Sequence, residues 1–277
     1  MAGKIGILAG GGDLPLTVAA RLQGEGRPFH VIRLAEFADD RLARYPNDVL
    51  PMGAFGGVQK ALKRAGCDTI CLAGHVARPD FRFLAKDLKA ISVVPSLVAA
   101  ATRGDDALLR AVIKVFEDEG FGVVGADQLL GGETLPAGAL GRIAPDAEAL
   151  ADLRKALSVA RATGDLDIGQ GAVVCRGLVL AVEAAEGTDA MLTRVAGLPE
   201  ALRGTAKELK GALGKAPKPI QDTRVDMPVM GVRTIELAHA AGLAGVAGVA
   251  GQLILMDRSA MIAAADRLGL FVWGEEG

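Results

Sequence analysis

Hydrophobic residues in the first half of the chain alternate between short continuous runs and amphipathic stretches. Strand-like runs fall at residues 4–9, which is continuously apolar after Lys4, and at 30–34, 69–73 and 121–124, and helical spacing appears at 14–23, 58–65 and 107–119. Short apolar runs of this kind are typical of strands that are buried on both faces, as in parallel sheets. Strands that alternate with helices predict an α/β fold with a doubly wound, Rossmann-like parallel sheet.

The pattern changes between residues 131 and 145, where glycine and proline interrupt the apolar runs. We therefore predict an N-terminal domain over residues 1–132, a linker over 133–149 and a C-terminal α/β domain over 150–277. From residue 146 onward, helical spacing appears at 146–163, 231–242 and 259–268, and strand-like runs appear at 244–250, 253–256 and 270–273.

Composition narrows the class of protein. The 277 residues suffice for two domains with separate cores, and the formal net charge is -2. Without basic runs, a nucleic acid bound mainly through its phosphates is excluded as a partner. The longest uncharged apolar run, 240–256, is too short for a bilayer span, and the run after Lys4 is too short for a signal peptide. We expect no transmembrane helix and a cytoplasmic location.

A glycine loop, Gly10 to Gly12 followed by Asp13, joins the first predicted strand to the first helix. Such a loop points backbone N–H groups at an anion, although a plain tight turn is the alternative. Pro15 stands where the dinucleotide fingerprint requires glycine, which disfavours a dinucleotide site. His75, after Gly74, lies just past a buried strand, where open parallel sheets bind ligands; a structural hydrogen-bonding role is the alternative.

The segment 164–194 is a polar stretch that contains two apolar runs, 172–175 and 178–182, joined by Arg176-Gly177. This pattern predicts a hairpin. Glu183, Glu186 and Asp189 follow it within a few residues, and neighbouring carboxylates repel unless a cation lies among them. Oxygen ligands without a His or Cys cluster favour Mg²⁺, or Mn²⁺ in its place. A solvated acidic loop with ordinary capping at the next helix is the alternative.

A second polar stretch, 218–233, carries Asp222, Arg224 and Asp226 at alternate positions. In an extended chain this spacing puts all three charges on one face, which suits a metal-phosphate site. The lysines nearby form a mild basic patch for which a solvated helical face is the alternative interpretation; they are Lys207, Lys210, Lys215 and Lys218.

Five strings in this order carry a family resemblance: AGGGDLP, GHVARPD, GDDALLR, DIGQ with VLAVEAAEGTDAML, and KPIQDTRVDMPVMGVRT. Together they make the chain resemble the magnesium-dependent UDP-2,3-diacylglucosamine pyrophosphatases of lipid A biosynthesis, the type unrelated to calcineurin-like phosphoesterases. The resemblance implies hydrolysis of UDP-2,3-diacylglucosamine to UMP and 2,3-diacylglucosamine 1-phosphate (lipid X). It also implies a cytoplasmic protein in peripheral contact with the inner membrane, with the substrate between two domains, and it leaves a homodimer open.

The resemblance also implies roles for individual residues. Substrate contacts are expected at Gly11, Gly12, Asp13, Gly74, His75, Gln170, Thr188 and Gln221. Lys218 or Arg224 would neutralise the charge of the pyrophosphate. Candidate magnesium ligands are Glu183, Glu186, Asp189, Asp222 and Asp226. We expect Asp226 to have the leading catalytic role, with Asp222 and Arg224 beside it.

Two other classes of function stay open at this point. The chain could be a dehydrogenase that uses its Rossmann-like domain, which Pro15 disfavours. It could also be a non-catalytic nucleotide-sugar or lipid-binding protein, in which the carboxylates are structural.

Overall fold

The computed structural model describes residues 3–77, 87–131, 134–218 and 227–277. The chain divides into two compact units, the first with the described residues up to 131 and the second with those from 134.

The first unit contains a five-stranded parallel sheet with helices between its strands. Its strands are β1 (Lys4–Ala9), β2 (Phe29–Leu34), β3 (Asn47–Leu50), β4 (Cys67–Ala73) and β5 (Gly122–Val123). Its helices are α1 (Leu14–Gly24), α2 (Phe55–Arg64), α3 (Leu88–Ala101), α4 (Asp105–Glu117) and α5 (Ala126–Leu129), with a 3-10 helix over Asp40–Arg44. The strand order β3-β2-β1-β4-β5 reverses direction after β1, as in doubly wound sheets. The predicted α/β class with a parallel N-terminal sheet is confirmed.

Four elements of the first unit have no counterpart in the sequence-based prediction: the 3-10 helix, the short helix α5, the strand β3 and the helix α3. The strand β3 has the sequence NDVL, and its two polar residues hide the apolar pattern of a strand at the edge of a sheet. The helix α3 contains Pro95 in its interior, which interrupts the helical spacing.

The second unit contains a six-stranded mixed sheet in the order β6-β13-β11-β9-β7-β8. These strands are β6 (Gly138–Leu140), β7 (Gly171–Cys175), β8 (Leu178–Val182), β9 (Ala212–Lys215), β11 (Gly245–Val249) and β13 (Phe271–Glu275). Its helices are α6 (Ala147–Asp165), α7 (Gly187–Ala196), α8 (Val232–Ala240) and α9 (Arg258–Leu268). The predicted linker, 133–149, contains β6, which pairs with β13. The predicted strand at 253–256 lies outside the large sheet: β12 (Ile254–Leu255) pairs with β10 (Val229–Met230) in a separate sheet.

The central strands of the second unit are apolar at successive positions because both faces of the sheet are covered. In β9, Ala212 packs in the cluster that includes Leu153 and Leu157 of α6, whereas Leu213 packs on the other side with residues of α7, α8 and α9. Gly214 follows, and a Cβ atom there would lie 2.7 Å from the Leu157 nitrogen. The close approach of α6 to β9 therefore requires glycine at this position.

The predicted hairpin is confirmed as the antiparallel pair β7 and β8. At its turn Arg176 and Gly177 both have positive φ, 50° and 72°, as the type I′ turn requires. The buried carboxylate of Asp152, from α6, accepts hydrogen bonds from the backbone N–H groups of Arg176 and Gly177, each 2.7 Å long. One side chain of α6 thus fixes the turn through both of its oxygen atoms.

We expect Asp152→Asn to lower the free energy of unfolding by about 1–3 kcal/mol, because an amide has one acceptor oxygen where the carboxylate has two. Urea denaturation would measure the change. Asp165→Asn, at an exposed position of the same helix, is the matched control. Equal stability of the two variants would contradict this role for Asp152.

Within the described ranges of the chain, no helix is both long enough and apolar enough to cross a membrane.

Candidate active site

The glycine loop of the first unit is joined to the segment after β4 by a pair of backbone hydrogen bonds. The Gly11 N–H donates to the His75 carbonyl at 2.8 Å, and the His75 N–H donates to the Gly11 carbonyl at 2.9 Å. Gly74 has a φ of 91°, and a Cβ atom there would lie 2.5 Å from the Gly11 carbonyl oxygen. The structure thus brings Gly11, Gly74 and His75 together at the carboxyl ends of β1 and β4, on either side of the point where the strand order reverses.

The geometry of this loop differs from the expected cradle of N–H groups around an anion. The Gly10 N–H donates to the Ala73 carbonyl, and the Gly11 N–H is directed to His75, so both donors are used within the fold. Gly12, with a φ of 86°, faces open space, since no atom lies within 4 Å of the position of a Cβ atom. The open part of the loop is therefore confined to Gly12 and Asp13.

Asp13 begins α1 without capping it and pairs instead with Arg41 of the 3-10 helix, Oδ1 to Nη2, at 2.8 Å. Arg41 also binds Asp39, and hydrogen bonds from the Arg41 side chain and backbone lower the pKa of Asp39 to about 2. The exposed rim of the loop thus carries two ionised carboxylates around one guanidinium. Such a rim suits hydroxyl or amide donors of a ligand better than a phosphate, because its carboxylates repel anions.

In the second unit, β7 begins and β8, β9 and β11 end at the same edge of the sheet. The Glu183 N–H, just past β8, donates to the Gly171 carbonyl at 2.8 Å. The Ala216 N–H, just past β9, donates to the Gln170 carbonyl at 3.0 Å. This edge also holds the carboxyl ends of β9 and β11, which run parallel.

Three side chains at this edge form a hydrogen-bonded chain in which Lys215 and Glu183 are buried and Thr188 is half-buried. Lys215 Nζ donates to Thr188 Oγ1 at 3.0 Å, and Thr188 Oγ1 donates to Glu183 Oε1 at 2.9 Å. Lys215 also donates to the Val229 carbonyl at 3.1 Å. Lys215 and Glu183 are only 4% and 7% exposed, so the opposite charges are largely shielded from water. We call Lys215, Thr188 and Glu183 the buried triad.

Two buried oxygen atoms at this edge receive no hydrogen bond from the described residues: Glu183 Oε2 and Gln170 Oε1. A Cβ atom on Gly171 would lie 2.4 Å from Glu183 Oε2, so the carboxylate lies directly against the backbone of β7. A buried acceptor without a donor costs about 1–3 kcal/mol. The open oxygen of Glu183 fits a divalent cation or a hydrogen-bond donor of a ligand.

The other two candidate carboxylates each pair with an arginine. Glu186 Oε1 lies 2.8 Å from Arg194 Nη2, and Asp189 pairs with Arg233. Hydrogen bonds from its own backbone N–H and from Arg194 hold the pKa of Glu186 below its usual range. Within residues 3–77, 87–131, 134–218 and 227–277, no group of three or more His, Cys, Asp or Glu side chains is placed to hold a metal ion. Glu183, Glu186 and Asp189 thus do not form a metal-binding group among themselves.

Lys218 is held near the same edge by a short ion pair. Its Nζ lies 2.6 Å from Asp167 Oδ1, and both side chains are mostly buried. Asp167 has a φ of 55°, a left-handed conformation that Asp tolerates better than most residues. This contact holds the ammonium group of Lys218, which we predicted to neutralise the charge of the pyrophosphate.

Four predicted site residues lie outside the described residues: Gln221, Asp222, Arg224 and Asp226. Their assigned roles stay predictions.

The burial of Lys215 was not predicted from the sequence. One interpretation put it on a solvated helical face, whereas the structure buries it at the end of β9. The available signal was its position in the otherwise uncharged segment 211–217, where a cation is unusual unless it has buried partners. The pairing of Asp167 with Lys218 has no local signal, because the two residues lie 51 positions apart in sequence.

Comparison with known proteins identifies the family. The model of the LpxI N-terminal domain matches residues 4–132, and the model of the LpxI C-terminal domain matches residues 136–273. The chain belongs to the LpxI family. A relative in this family, UDP-2,3-diacylglucosamine pyrophosphatase LpxI from Caulobacter vibrioides, is 58% identical over 271 residues, which are 98% of this chain and 97% of that protein.

A solved structure from Methylobacillus flagellatus, assigned as an NAD-dependent epimerase/dehydratase, is also similar to part of the chain. It is 15% identical and covers 53% of this chain and 46% of its own, with a TM-score of 0.26. A similarity this low carries no argument about the fold or function of the LpxI family.

Arg194→Gln should raise the pKa of Glu186 toward its usual range, because the guanidinium stabilises the carboxylate. The lowered pKa of Glu186 contributes stability above the pKa of an unfolded glutamate, and this is lost as the pH falls through the lower folded value. The variant should therefore lose less stability over that acidic window.

NMR titration of the glutamate side chains would measure the pKa, and Arg258→Gln, at an exposed arginine of α9, is the control. An unchanged titration of Glu186 in Arg194→Gln would show that the ion pair does not act on it.

Proposed function

We propose that this chain hydrolyses the pyrophosphate bond of UDP-2,3-diacylglucosamine to UMP and 2,3-diacylglucosamine 1-phosphate, in a Mg²⁺-dependent step of lipid A biosynthesis. The observation that carries this proposal is the 58% identity, over 98% of the chain, to a relative named for that activity. The intact motifs around Glu183, Thr188 and Asp226 support it, because they supply the polar groups that the chemistry requires.

In the proposed reaction, the oxygen of a water molecule forms a bond to one phosphorus of the pyrophosphate. The bond from that phosphorus to the bridging oxygen breaks, and the bridging oxygen keeps the electron pair. The water gives up a proton, for which Asp226 is the proposed acceptor or orienting group. Either phosphorus is compatible with these products, because cleavage on either side of the bridge yields the same two phosphates.

Neutralising the pyrophosphate is the main electrostatic requirement, since its two negative charges repel an incoming nucleophile. Lys218 and Arg224 are the proposed cations, and the ion pair with Asp167 holds Lys218 in one position. When bound, Mg²⁺ would supply further positive charge to the pyrophosphate. Mn²⁺, which also prefers oxygen ligands, is the expected substitute.

Glu183 is the described carboxylate that best fits the role of a cation ligand. Its Oε2 atom is buried and receives no hydrogen bond from the described residues. Glu186 and Asp189 are paired with arginines and fit this role less well. We therefore propose Glu183, Asp222 and Asp226 as the ligands of the divalent cation.

Contacts from the first unit would recognise the polar parts of the substrate. Gly12 and Asp13 form the open rim of the glycine loop, and His75 is exposed beside Gly11 and Gly74. The carboxylate of Asp13 suits a hydroxyl or amide donor of the sugar or the base. In the second unit, Gln170, Thr188 and Gln221 are further proposed contacts, which act either by touching the substrate or by positioning a neighbouring side chain.

The two acyl chains of the substrate favour a cytoplasmic enzyme that touches the inner membrane.

The direct test is release of UMP from UDP-2,3-diacylglucosamine by the purified protein, with Mg²⁺ and with a chelator. We expect turnover with Mg²⁺ only, and we expect Asp226→Ala to lower kcat by about 100-fold or more. Asp165→Ala, at an exposed position of α6, is the matched control and should behave as the wild type.

Two results would overturn the proposal. Absence of UMP release by wild-type protein that binds the substrate tightly would favour the nucleotide-sugar or lipid-binding alternative. Full turnover in the presence of the chelator would remove the requirement for a divalent cation.

Gly171→Ala tests the position of Glu183. The added methyl group would lie 2.4 Å from Glu183 Oε2, so the carboxylate must move while the backbone of β7 keeps its place. We expect kcat to fall about 10- to 100-fold, as for the loss of a group that orients a metal ligand. Gly197→Ala is the control, because a Cβ atom there makes only ordinary contacts. Full activity in Gly171→Ala would show that the present position of Glu183 is not required.

A further inference from the structure

The reaction proposed above gives no role to Lys215. Among the described residues, Lys215 is the only lysine or arginine that is buried as a whole residue, with 4% exposure. Placing an ammonium group away from water costs several kcal/mol unless its partners compensate for the lost solvation. A cation at this position therefore needs polar partners, and one of them, Thr188, connects Lys215 to Glu183.

The hydrogen-bond directions in the buried triad follow from the chemistry of its groups. Lysine can only donate, so Thr188 Oγ1 accepts from Lys215 Nζ. An ionised carboxylate can only accept, so the one hydroxyl proton of Thr188 goes to Glu183 Oε1. The ammonium group of Lys215 is thus linked to the carboxylate of Glu183 through a single oriented hydroxyl group. In this arrangement Thr188 has no proton left to donate to a ligand.

This arrangement fixes one oxygen of Glu183 and leaves the other for a different partner. Oε1 is held by Thr188, which belongs to the first turn of α7. Oε2 is buried against Gly171 and receives no hydrogen bond from the described residues. The side chain cannot turn its open oxygen away without breaking the bond to Thr188.

We propose that Lys215 is a positioning residue that acts through Thr188 to hold Glu183 Oε2 in place for a divalent cation. This inference rests on the proposed function, in which Glu183 is a cation ligand. It also assigns Thr188 an indirect role, in which the hydroxyl orients Glu183 and does not contact the substrate itself.

Four variants test the inference. Lys215→Met removes the charge at nearly constant length, and Thr188→Val removes the hydroxyl at nearly constant shape. Thr188→Ser keeps the hydroxyl and should therefore retain function. Lys210→Met is the matched control, since Lys210 lies five residues earlier, outside the buried triad, and pairs with Glu208. Thr188→Val leaves both charged groups in place and keeps the test valid if Lys215→Met does not fold.

The first readout is binding of Mn²⁺, followed by electron paramagnetic resonance in the absence of substrate. We expect Lys215→Met and Thr188→Val to weaken binding about 10- to 100-fold, as for other groups that orient a metal ligand. Thr188→Ser and Lys210→Met should bind as the wild type does. Wild-type affinity in both Lys215→Met and Thr188→Val, or no Mn²⁺ binding by the wild type, would overturn the inference.

The second readout is the kinetics of UMP release. We expect kcat to fall about 10- to 100-fold in Lys215→Met and Thr188→Val, with KM for the substrate changed little. Because Lys215 acts through Thr188, the double variant should match Thr188→Val to within about twofold. Losses that multiply in the double variant would mean that Lys215 acts independently of Thr188, and this result would overturn the inference.

The two readouts separate this inference from the proposed function. If the wild type hydrolyses the substrate and the variants bind Mn²⁺ and turn over normally, the function stands and the positioning role fails. If the wild type does not hydrolyse the substrate but Mn²⁺ binding weakens as expected, the positioning role stands and the reaction is wrong.

Discussion

The second unit depends on polar partners that compensate one buried cation for its lost solvation. Lys215 lies at the end of a strand that is covered on both faces, where water cannot solvate its ammonium group. Thr188 and the Val229 carbonyl accept its hydrogen bonds, and Thr188 connects it to the buried carboxylate of Glu183. These contacts tie the start of α7, the end of β8 and the end of β9 to one point. Removing Thr188 would leave Glu183 Oε1 without the hydrogen bond that it receives from the hydroxyl group.

Glycine residues allow the close approaches on which such contacts depend. Gly171 admits the carboxylate of Glu183, and Gly214 admits α6 against β9. In the first unit, Gly74 allows the segment after β4 to bond with the glycine loop at Gly11. Each of these glycines lies where a side chain would meet another atom at less than 3 Å, so steric exclusion accounts for the residue type. A Cβ atom at any of these three positions would force neighbouring atoms to move.

The carboxylates near the hairpin divide into two groups by their partners. Glu186 and Asp189 have arginine partners and are exposed enough for water to solvate them, which stabilises their ionised form without a metal. Glu183 has a hydroxyl partner at one oxygen and an open position at the other. The three acids are close in sequence, but they do not share one site. The difference matters for the proposed reaction, because it favours Glu183 as the described acid that suits a cation.

The sequence by itself determined the elements whose residues carry a local pattern. The apolar runs at β1, β4 and β11 reflect burial on both faces, and Arg176-Gly177 determines the turn of the hairpin through its backbone conformation. The ordered motifs also indicated the family, which the matches at 4–132 and 136–273 confirmed. Such signals lie within a few neighbouring residues or in fixed strings, so they can be read without coordinates.

Only the tertiary structure decided which polar residues meet. The contact of Lys215 with Thr188 joins residues 27 apart in sequence, and that of Lys218 with Asp167 joins residues 51 apart. The tertiary structure also showed that the N–H groups of Gly10 and Gly11 are used by the backbone of other segments. Hydrogen bonds and ion pairs act over only a few ångströms. Which groups come within that range depends on how the strands are ordered in the sheet, and no local pattern of residues encodes that order.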